Sequence, residues 1–308
     1  MNSEKLPDLP FEKWNDTRLT LHIILQIIGK TRLASTARKN HWWNITLYVS
    51  PRGFTTSPIP VKNGGESVEI TFDVPKKAVI ITQSAGEEIV ISLKENPTIA
   101  NFYSEYISKL KETGLSFDFV KKPFDLEIEK PFSQITDYHH YDWEYIERFW
   151  KIMKWNNSIL QEFSGRFYGK SCPAHIYWHH LDLVITRFSG KKLPPMDASA
   201  RILEKDTYSH EQISFGFWAG DPNVREPMYY SYTYPAPQGI DEETLQPEGA
   251  KWQDSNGSPM ALLSYETVKN SNNPKKDVLD FLESAYQAGA KRADWNMEEL
   301  TVPDLDKL

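Results

Sequence analysis

The feature that most constrains the fold of this chain is a residue pattern that occurs twice. Residues 40–50 read NHWWNITLYVS, and residues 177–186 read YWHHLDLVIT. Each stretch is rich in aromatic and β-branched residues and alternates apolar with polar side chains, as a half-buried β-strand does. We interpret the two stretches as the central strands of two related halves.

The elements around these two strands recur in the same order. Each strand follows an apolar helical pattern and a Gly-Lys-hydroxyl tripeptide, Gly29-Lys30-Thr31 in the first half and Gly169-Lys170-Ser171 in the second. In the first half, Asp16 or Thr17 suits the start of the helix and Gly29 suits its end. The further elements predicted are strands at 68–74, 78–82, 88–93 and 117–119 with a helix at 98–111, then a helix at 143–163, strands at 211–217, 228–234 and 260–264 and a helix at 276–292.

This order predicts an α+β protein whose two related halves each consist of an antiparallel sheet flanked by helices, the result of an internal duplication. Residues 1–120 form the predicted first half, residues 121–142 a connector and residues 143–308 the second half. Two unrelated helix-and-sheet domains that share a generic pattern are the alternative. Duplicated halves usually pack about a pseudo-twofold axis, so we expect one compact unit with a ligand site in the crevice between the halves.

Composition and charge narrow the class of partner. The chain has 308 residues, 40% of them hydrophobic, and a net charge of −7, which argues against binding to a nucleic-acid backbone. Small molecules or other proteins are the expected partners. The chain shows neither an 18-residue apolar run nor a secretory signal pattern, so we expect no membrane span. The single cysteine, Cys172, excludes an internal disulfide framework and fits a reducing cytoplasm.

Cationic residues suggest a site for a small anion. The two Gly-Lys-hydroxyl tripeptides lack the earlier glycine and the following helix of a phosphate-binding loop, so they do not predict nucleotide binding by that route. The first helix carries a single polar row of residues spaced by four: Arg18, His22, Gln26 and Lys30. The side chains that could present a cation to an anion are Lys30, Arg32, Arg52 and Arg187. Solvated surface charge and salt bridges are the alternative roles for each of them.

Histidines and carboxylates in the second half provide enough donors for a divalent metal such as zinc or iron. Their spacing matches no recognised metal motif, but His180 and Asp182 share a face of the predicted strand. The candidate ligands are His175, His180, Asp182 and His210. Hydrogen-bonded structural histidines are the alternative.

Two further patterns allow catalysis or ligand binding. Cys172 lies three residues before His175, which could act as its base, although an isolated cysteine is more often an inert small residue. His210 could act as a general base that Glu211 or Asp182 orients. The tyrosines that alternate on one predicted strand would form either core or a wall for a planar ligand: Tyr230, Tyr232 and Tyr234.

Short motifs occur along nearly the whole chain. They are Leu21-His22, Gly29-Lys30-Thr31-Arg32-Leu33, Asn40-His41, Thr46-Leu47-Tyr48-Val49, Arg52-Gly53, Thr55 to Pro60, Gly169-Lys170 with Pro173 and His175, Asp182-Leu183, Thr186 to Gly190, Tyr208 to Glu211 and Gly216-Phe217-Trp218. With these motifs the chain resembles an uncharacterised bacterial domain family of unknown function. The resemblance implies no activity. The chain departs from the family pattern at Cys172, where a small hydroxyl residue is expected, and at His179-His180, where small residues are expected.

The preferred hypothesis from the sequence is a cytoplasmic small-molecule enzyme or ligand-binding protein. Its predicted catalytic residues are His175, His210 and Glu211, and its predicted ligand-binding residues are His41, Arg52, Arg187 and Lys30. These residues fall in the motifs at or beside strand ends, where functional side chains concentrate. The alternatives are a non-catalytic interaction or scaffold protein, in which the aromatic residues form a partner surface, and a metal-dependent hydrolase or oxygenase.

Overall fold

The computed structural model of the chain describes residues 5–61, 65–255, 257–304 and 306. Residues 1–4 lie outside this set. The expectation that the chain has no secretory signal pattern refers in part to these residues. The described residues form an α+β fold with two antiparallel sheets flanked by helices, which confirms the predicted fold class. Within the same residues, every helix is too short or too polar to cross a bilayer.

The chain divides into two compact units, which are described separately. The N-terminal unit consists of Asp8–Lys154 and His175–Leu181, and the C-terminal unit of Met1–Pro7, Trp155–Ala174 and Asp182–Leu308. This division differs from the predicted boundaries, because the connector at 121–142 and the residues up to Lys154 belong to the N-terminal unit. The internal duplication stays a prediction.

The N-terminal unit combines a long helix with an antiparallel sheet. Its strands pair in the order β1-β2-β4-β5-β6, antiparallel throughout, and β3 also pairs with β4. Their bounds, with those of the helices, are α1 (Phe11–Ser35), β1 (Tyr48–Ser50), β2 (Gly53–Thr55), β3 (Ile59–Pro60), β4 (Ser67–Asp73), β5 (Ala78–Gln83), β6 (Glu88–Ser92), α2 (Ile99–Leu110), the first part of α3 (Trp143–Ser164) and β7 (His175–Tyr177).

The C-terminal unit contains the end of α3 and a sheet of longer strands in the order β11-β12-β10-β9-β8. The elements are β8 (Asp182–Lys192), α4 (Ile202–Thr207), β9 (His210–Trp218), β10 (Met228–Tyr234), β11 (Lys251–Ser255), β12 (Ser258–Ser264), α5 (Tyr265–Lys269), α6 (Pro274–Arg292) and α7 (Met297–Leu300). Rings from α3 and β9 meet in its core, where Phe163 and Phe215 lie edge to face with centroids 4.9 Å apart.

The first helix is longer at both ends than the sequence predicts. It begins at Phe11 rather than after Asp16 or Thr17, and it continues through Gly29 to Ser35. The Thr17 hydroxyl accepts a hydrogen bond from the Asp142 backbone N–H instead of capping the helix. Gly29 does not end the helix, because it provides room: a Cβ there would overlap the Trp178 ring.

Both predicted central strands are interrupted by turns. In the first, His41 and Trp42 adopt left-handed backbone angles, with φ values of 55° and 58°, so only Tyr48–Ser50 is a strand. In the second, Leu181 has φ 59° and a turn separates β7 from β8. Left-handed residues cannot extend a strand. The prediction that His180 and Asp182 share a strand face is therefore wrong.

Other differences are local. No strand forms at 117–119, a segment that the structure describes. Conversely, the sequence pattern does not predict β11, which is polar and mostly exposed. A strand whose side chains are mostly in solvent has little hydrophobic alternation to detect.

Candidate functional site around Lys30

The polar row of α1 is buried. Arg18, His22, Gln26 and Lys30 are exposed by only 4%, 2%, 0% and 4%. Since polar groups lose hydration when buried, each is expected to have a partner. Arg18 has one nearby, because its guanidinium donates to the Asn15 side chain at 2.9 Å.

Two members of the row hold loop segments of the N-terminal unit. His22 Nε2–H donates to the backbone oxygen of Trp178 at 2.8 Å. Burial, with a smaller effect from the Arg18 charge, lowers the pKa of His22 to about 3, so the ring is neutral near pH 7 and its Nδ1 is unprotonated. The Gln26 amide bonds both backbone groups of Phe124, donating to the oxygen at 2.8 Å and accepting from the N–H at 2.7 Å.

Lys30 is the exception in this row. Its Nζ lies 5.5 Å from the centroid of the Trp178 ring, and across the described residues it has neither a hydrogen-bond acceptor nor a carboxylate partner. Burial, followed by the positive charge of Lys122, lowers the pKa of Lys30 to about 8. The Trp178 Nε1–H is likewise buried without an acceptor among those residues. A buried indole donor and the titratable amine of a side chain that is 4% exposed therefore lie together.

An exposed rim borders these donors. Phe124 is 37% exposed, and its ring meets the edge of Trp178 at 6.4 Å. Beside it, His180 Nε2 lies 3.2 Å from the Asp125 carboxylate, and both side chains are at least half exposed. His179 lies between Trp178 and His180 in the chain, and its pKa is well below the ordinary range, chiefly through burial. We call Lys30, Trp178, His22 and Phe124 the Lys30 site.

The other predicted cations in the N-terminal unit are engaged by the protein. Arg32 Nε donates to the Asn44 backbone oxygen at 3.1 Å, and its Nη1 donates to the Thr56 backbone oxygen. Arg52 forms an ion pair with the buried Asp73 carboxylate. Both guanidinium groups therefore fix the start of the sheet.

Arg187, in the C-terminal unit, is completely buried in a cage of aromatic rings. Its guanidinium carbon lies 3.6 Å from the Phe163 ring centroid and 4.4 Å from that of Tyr286, and Nη2 donates to the Phe163 backbone oxygen at 2.6 Å. Burial lowers the pKa of Arg187 to about 10, opposed by Glu283. The surrounding rings give this residue a packing role.

The predicted catalytic residues of the C-terminal unit do not converge. His210 Nδ1 lies 3.0 Å from the Ser209 hydroxyl, whereas Glu211 accepts from the Ser189 hydroxyl at 2.8 Å. Neighbours on a strand point to opposite faces, so Glu211 cannot orient His210. Asp182 is paired with Trp218 at the far end of β9, roughly 25 Å from His210 along the strand.

The remaining predicted histidines lie in the N-terminal unit. His175 is buried, and its ring meets Tyr177 edge to face at 4.7 Å. The His41 backbone oxygen accepts from the Tyr177 hydroxyl at 2.7 Å, while the His41 ring packs on Trp43 at 5.0 Å. Across the described part of the chain, no three His, Cys, Asp or Glu side chains are close enough to hold one metal ion.

The tyrosines on β10 join a polar network within the C-terminal unit. Tyr230 donates to Asp182 at 2.5 Å and stacks on Tyr232, with the two rings 6.3 Å apart and nearly parallel. The ring of Tyr230 crosses over Gly216, where a Cβ would overlap it. The hydroxyl of Tyr230 is thus committed to a carboxylate of its own unit.

Cys172 is a buried thiol in the same unit. The Thr186 backbone N–H donates to its Sγ at 3.1 Å, and burial raises the pKa of Cys172 to about 11. A thiol with a raised pKa is protonated and a poor nucleophile near pH 7.

The model of a family of unknown function, DUF5996, matches residues 6–302. The chain belongs to this family. The match spans the motifs on which the resemblance depends, so the predicted membership in a family of unknown function is confirmed. No curated protein and no solved structure matches the chain. Membership in DUF5996 implies no activity.

Sequence reasoning identified Lys30 but missed its surroundings. Trp178 was read as part of a strand and Phe124 as part of a connector. A glycine inside a strongly apolar helix was the available signal, since such a glycine often marks the close approach of another group. The predicted placement of the site in a crevice between the halves stays a prediction.

Proposed function

We propose that this protein binds a small molecule at the Lys30 site, either as a ligand-binding protein or as an enzyme. The observation that carries the proposal is that Trp178 Nε1, a buried donor, lies beside the amine of Lys30, a side chain that is only 4% exposed. Neither group has an acceptor among the described residues. The ligand is one that offers an acceptor oxygen: a carboxylate, a phosphate or a carbonyl.

Energetics favour this interpretation over a purely structural role. A buried donor without an acceptor costs roughly 1–3 kcal/mol, and more when it is charged. A charge-assisted hydrogen bond from Lys30 to a ligand oxygen would offset that cost. Arg187, by contrast, receives compensation from its own unit through aromatic rings and a backbone oxygen, although its Nε has no hydrogen-bond partner among the described residues.

The rim residues extend the proposal to ligand entry. Phe124 is partly exposed and contacts the ring that Lys30 faces, so it lies where a ligand would reach the donors. Its backbone is held by Gln26 rather than by a regular element. Movement of this segment would open the site at the expense of two hydrogen bonds.

The broader parts of the proposal depend on the sequence. A reducing cytoplasm, in a bacterium, suits a chain with a single cysteine. The recurrence of helix, Gly-Lys-hydroxyl tripeptide and strand supports duplication as the origin of the two sheets. Small-molecule binding is preferred over a scaffold role because the Lys30 site is buried rather than displayed.

The test is a thermal-shift screen of the full chain against phosphate, small carboxylates, 2-oxo acids, nucleotides and divalent metals. A ligand that binds only the folded state adds about 2.7 kcal/mol of stability at a hundredfold excess over its dissociation constant. The variants are Lys30→Met and, as a matched control, Lys170→Met, which changes the exposed lysine of the second tripeptide.

We expect a compound whose shift is lost in Lys30→Met and kept in Lys170→Met. A shift that persists in Lys30→Met would overturn the assignment of the site. The absence of any shift would favour the interaction-protein alternative.

A further inference from the structure

We propose that the ligand of the Lys30 site is an aldehyde or a ketone, and that the Lys30 amine forms an imine with its carbonyl carbon. This inference rests on the proposed function and names its substrate class. An amine nucleophile must lose its proton, be protected from water and lie where a carbonyl group can be held beside it.

The surroundings of Lys30 differ from those of the ion-paired lysines of the chain. Lys122 pairs with Glu129 at 2.7 Å, and Lys130 pairs with Asp137 at 2.6 Å. A carboxylate partner stabilises the ammonium form and suppresses nucleophilicity. Across the described ranges, Lys30 has no such partner, and the charge that acts on it most strongly is the like charge of Lys122.

Burial acts in the same direction. Lys30 is 4% exposed, and burying a neutral amine costs less than burying an ammonium group. With a pKa of about 8, roughly a tenth of the amine is unprotonated at pH 7. Desolvated lysines of this kind are the ones that form Schiff bases.

The amine and the carbonyl compound are the only reactants in imine formation, and water is the only by-product. The nitrogen lone pair attacks the carbonyl carbon, the C–N bond forms, and the carbonyl π electrons move to oxygen. A proton passes from nitrogen to that oxygen and gives a carbinolamine. Loss of the hydroxyl group and the remaining N–H proton as water produces the C=N bond, and hydrolysis reverses the sequence.

Trp178 has a positioning role in this scheme. Its Nε1–H is a buried donor without an acceptor among the described residues and belongs to the ring over which the amine lies. A ligand oxygen that accepts from this N–H would be kept beside Lys30 while the carbonyl group reacts. The expected ligands are therefore carbonyl compounds with a second acceptor, such as 2-oxo acids.

The experiment uses glyoxylate as the probe. The full-length protein is incubated with glyoxylate at about pH 8, treated with sodium borohydride and digested for peptide mass spectrometry. Reduction of the imine by hydride leaves a stable carboxymethyl group on the reacting lysine. In the wild-type protein we expect Lys30 to be modified well before the exposed Lys170, and the rate at Lys30 to rise as the pH passes through the pKa of the amine.

The outcomes separate this inference from the proposed function. Preferential labelling of Lys30, with its peptide unlabelled in Lys30→Met and labelled in Lys170→Met, supports both. A glyoxylate thermal shift that requires Lys30 but gives no trapped adduct overturns the imine and leaves the binding site. If glyoxylate gives neither a shift nor preferential labelling, the imine is overturned, while a Lys30-dependent shift with phosphate would still support the binding site.

Discussion

The two Gly-Lys-hydroxyl tripeptides have nearly the same sequence and opposite environments. Gly29-Lys30-Thr31 lies inside α1, and all three of its residues are buried. Gly169-Lys170-Ser171 follows α3 as an extended segment, in which the Lys170 backbone oxygen accepts from the Phe188 N–H at 3.0 Å and the side chain of Lys170 is exposed. The comparison teaches that the element around a short motif decides its chemistry.

Each position of the tripeptide illustrates the difference. In α1 the glycine admits Trp178, the lysine faces that ring, and the Thr31 hydroxyl lies 2.8 Å from the buried Tyr106 hydroxyl. In the C-terminal unit the glycine lies against Leu300 and Phe167. A matched pair of substitutions at each position therefore tests whether the two environments differ as the structure indicates.

The glycine pair should show the largest effect. Gly29→Ala gains helix propensity of about 1 kcal/mol but places a Cβ within the Trp178 ring, and overpacking of this kind costs roughly 1–3 kcal/mol or more. We expect a net loss of about 2 kcal/mol. Gly169→Ala should lose less, because its Cβ would lie 2.5 Å from the end of the half-buried Leu300 side chain and 2.6 Å from the tip of the Phe167 ring, against 2.1 Å from the Trp178 ring at position 29. Chemical denaturation of both variants measures the difference, and equal losses would contradict it.

Of the two lysine substitutions, only the one at Lys30 should change the stability appreciably, and it should increase it. Since one pKa unit corresponds to about 1.4 kcal/mol, the lowered pKa of Lys30 sets an upper limit of about 3 kcal/mol on the cost of its charge at pH 7. The contact of the cation with Trp178 returns about 1 kcal/mol. Lys30→Met should therefore stabilise the protein by roughly 1–2 kcal/mol, whereas Lys170→Met should change its free energy of unfolding by less than about 0.5 kcal/mol. A destabilised Lys30→Met variant would show that the amine has a partner.

The hydroxyl pair should show the smallest effect. The Thr31 hydroxyl donates to the Ile27 backbone oxygen at 3.2 Å and so accepts from Tyr106, which is completely buried. Thr31→Val leaves the Tyr106 O–H without its acceptor, at a cost of roughly 1–2 kcal/mol. Ser171→Ala removes a partly buried bond to the Thr186 backbone oxygen at 2.9 Å and should cost about 0.5–1 kcal/mol. Urea denaturation of the two variants measures these losses. A larger loss in Ser171→Ala than in Thr31→Val would show that the Thr31 hydroxyl is solvated.

Much of the fold follows from local patterns in the sequence. Strands β4, β5, β9 and β10 and helices α2 and α6 lie within a few residues of their predicted positions. The helices and β4 show the period of an element that buries one face, whereas β5, β9 and β10 are runs rich in apolar and aromatic residues that are buried on both faces over most of their length. The central strands were mispredicted for a physical reason. Left-handed residues at His41, Trp42 and Leu181 interrupt them, and aromatic and β-branched composition does not reveal such backbone angles.

The candidate site was predictable only in part. Regular spacing along a helix identified the row that contains Lys30, but its burial depends on loops that return from distant sequence positions at Phe124 and Trp178. Composition likewise identified His210, Glu211 and Asp182 as reactive residue types. Their separation along β9 depends on strand register, which residue type does not fix.

The measurement that tests the central claim most directly is the difference in unfolding free energy between Lys30→Met and the wild type as a function of pH. The pKa of Lys30 falls from an ordinary 10.5 to about 8 in the folded protein, so the unfolded chain binds more protons between these values. Wild-type stability should therefore rise relative to Lys30→Met across this window. We predict that the variant is the more stable protein below about pH 8 and that its advantage disappears by about pH 10.5. A difference that does not change with pH, or a variant that is less stable at neutral pH, would contradict a buried amine without a partner at the Lys30 site.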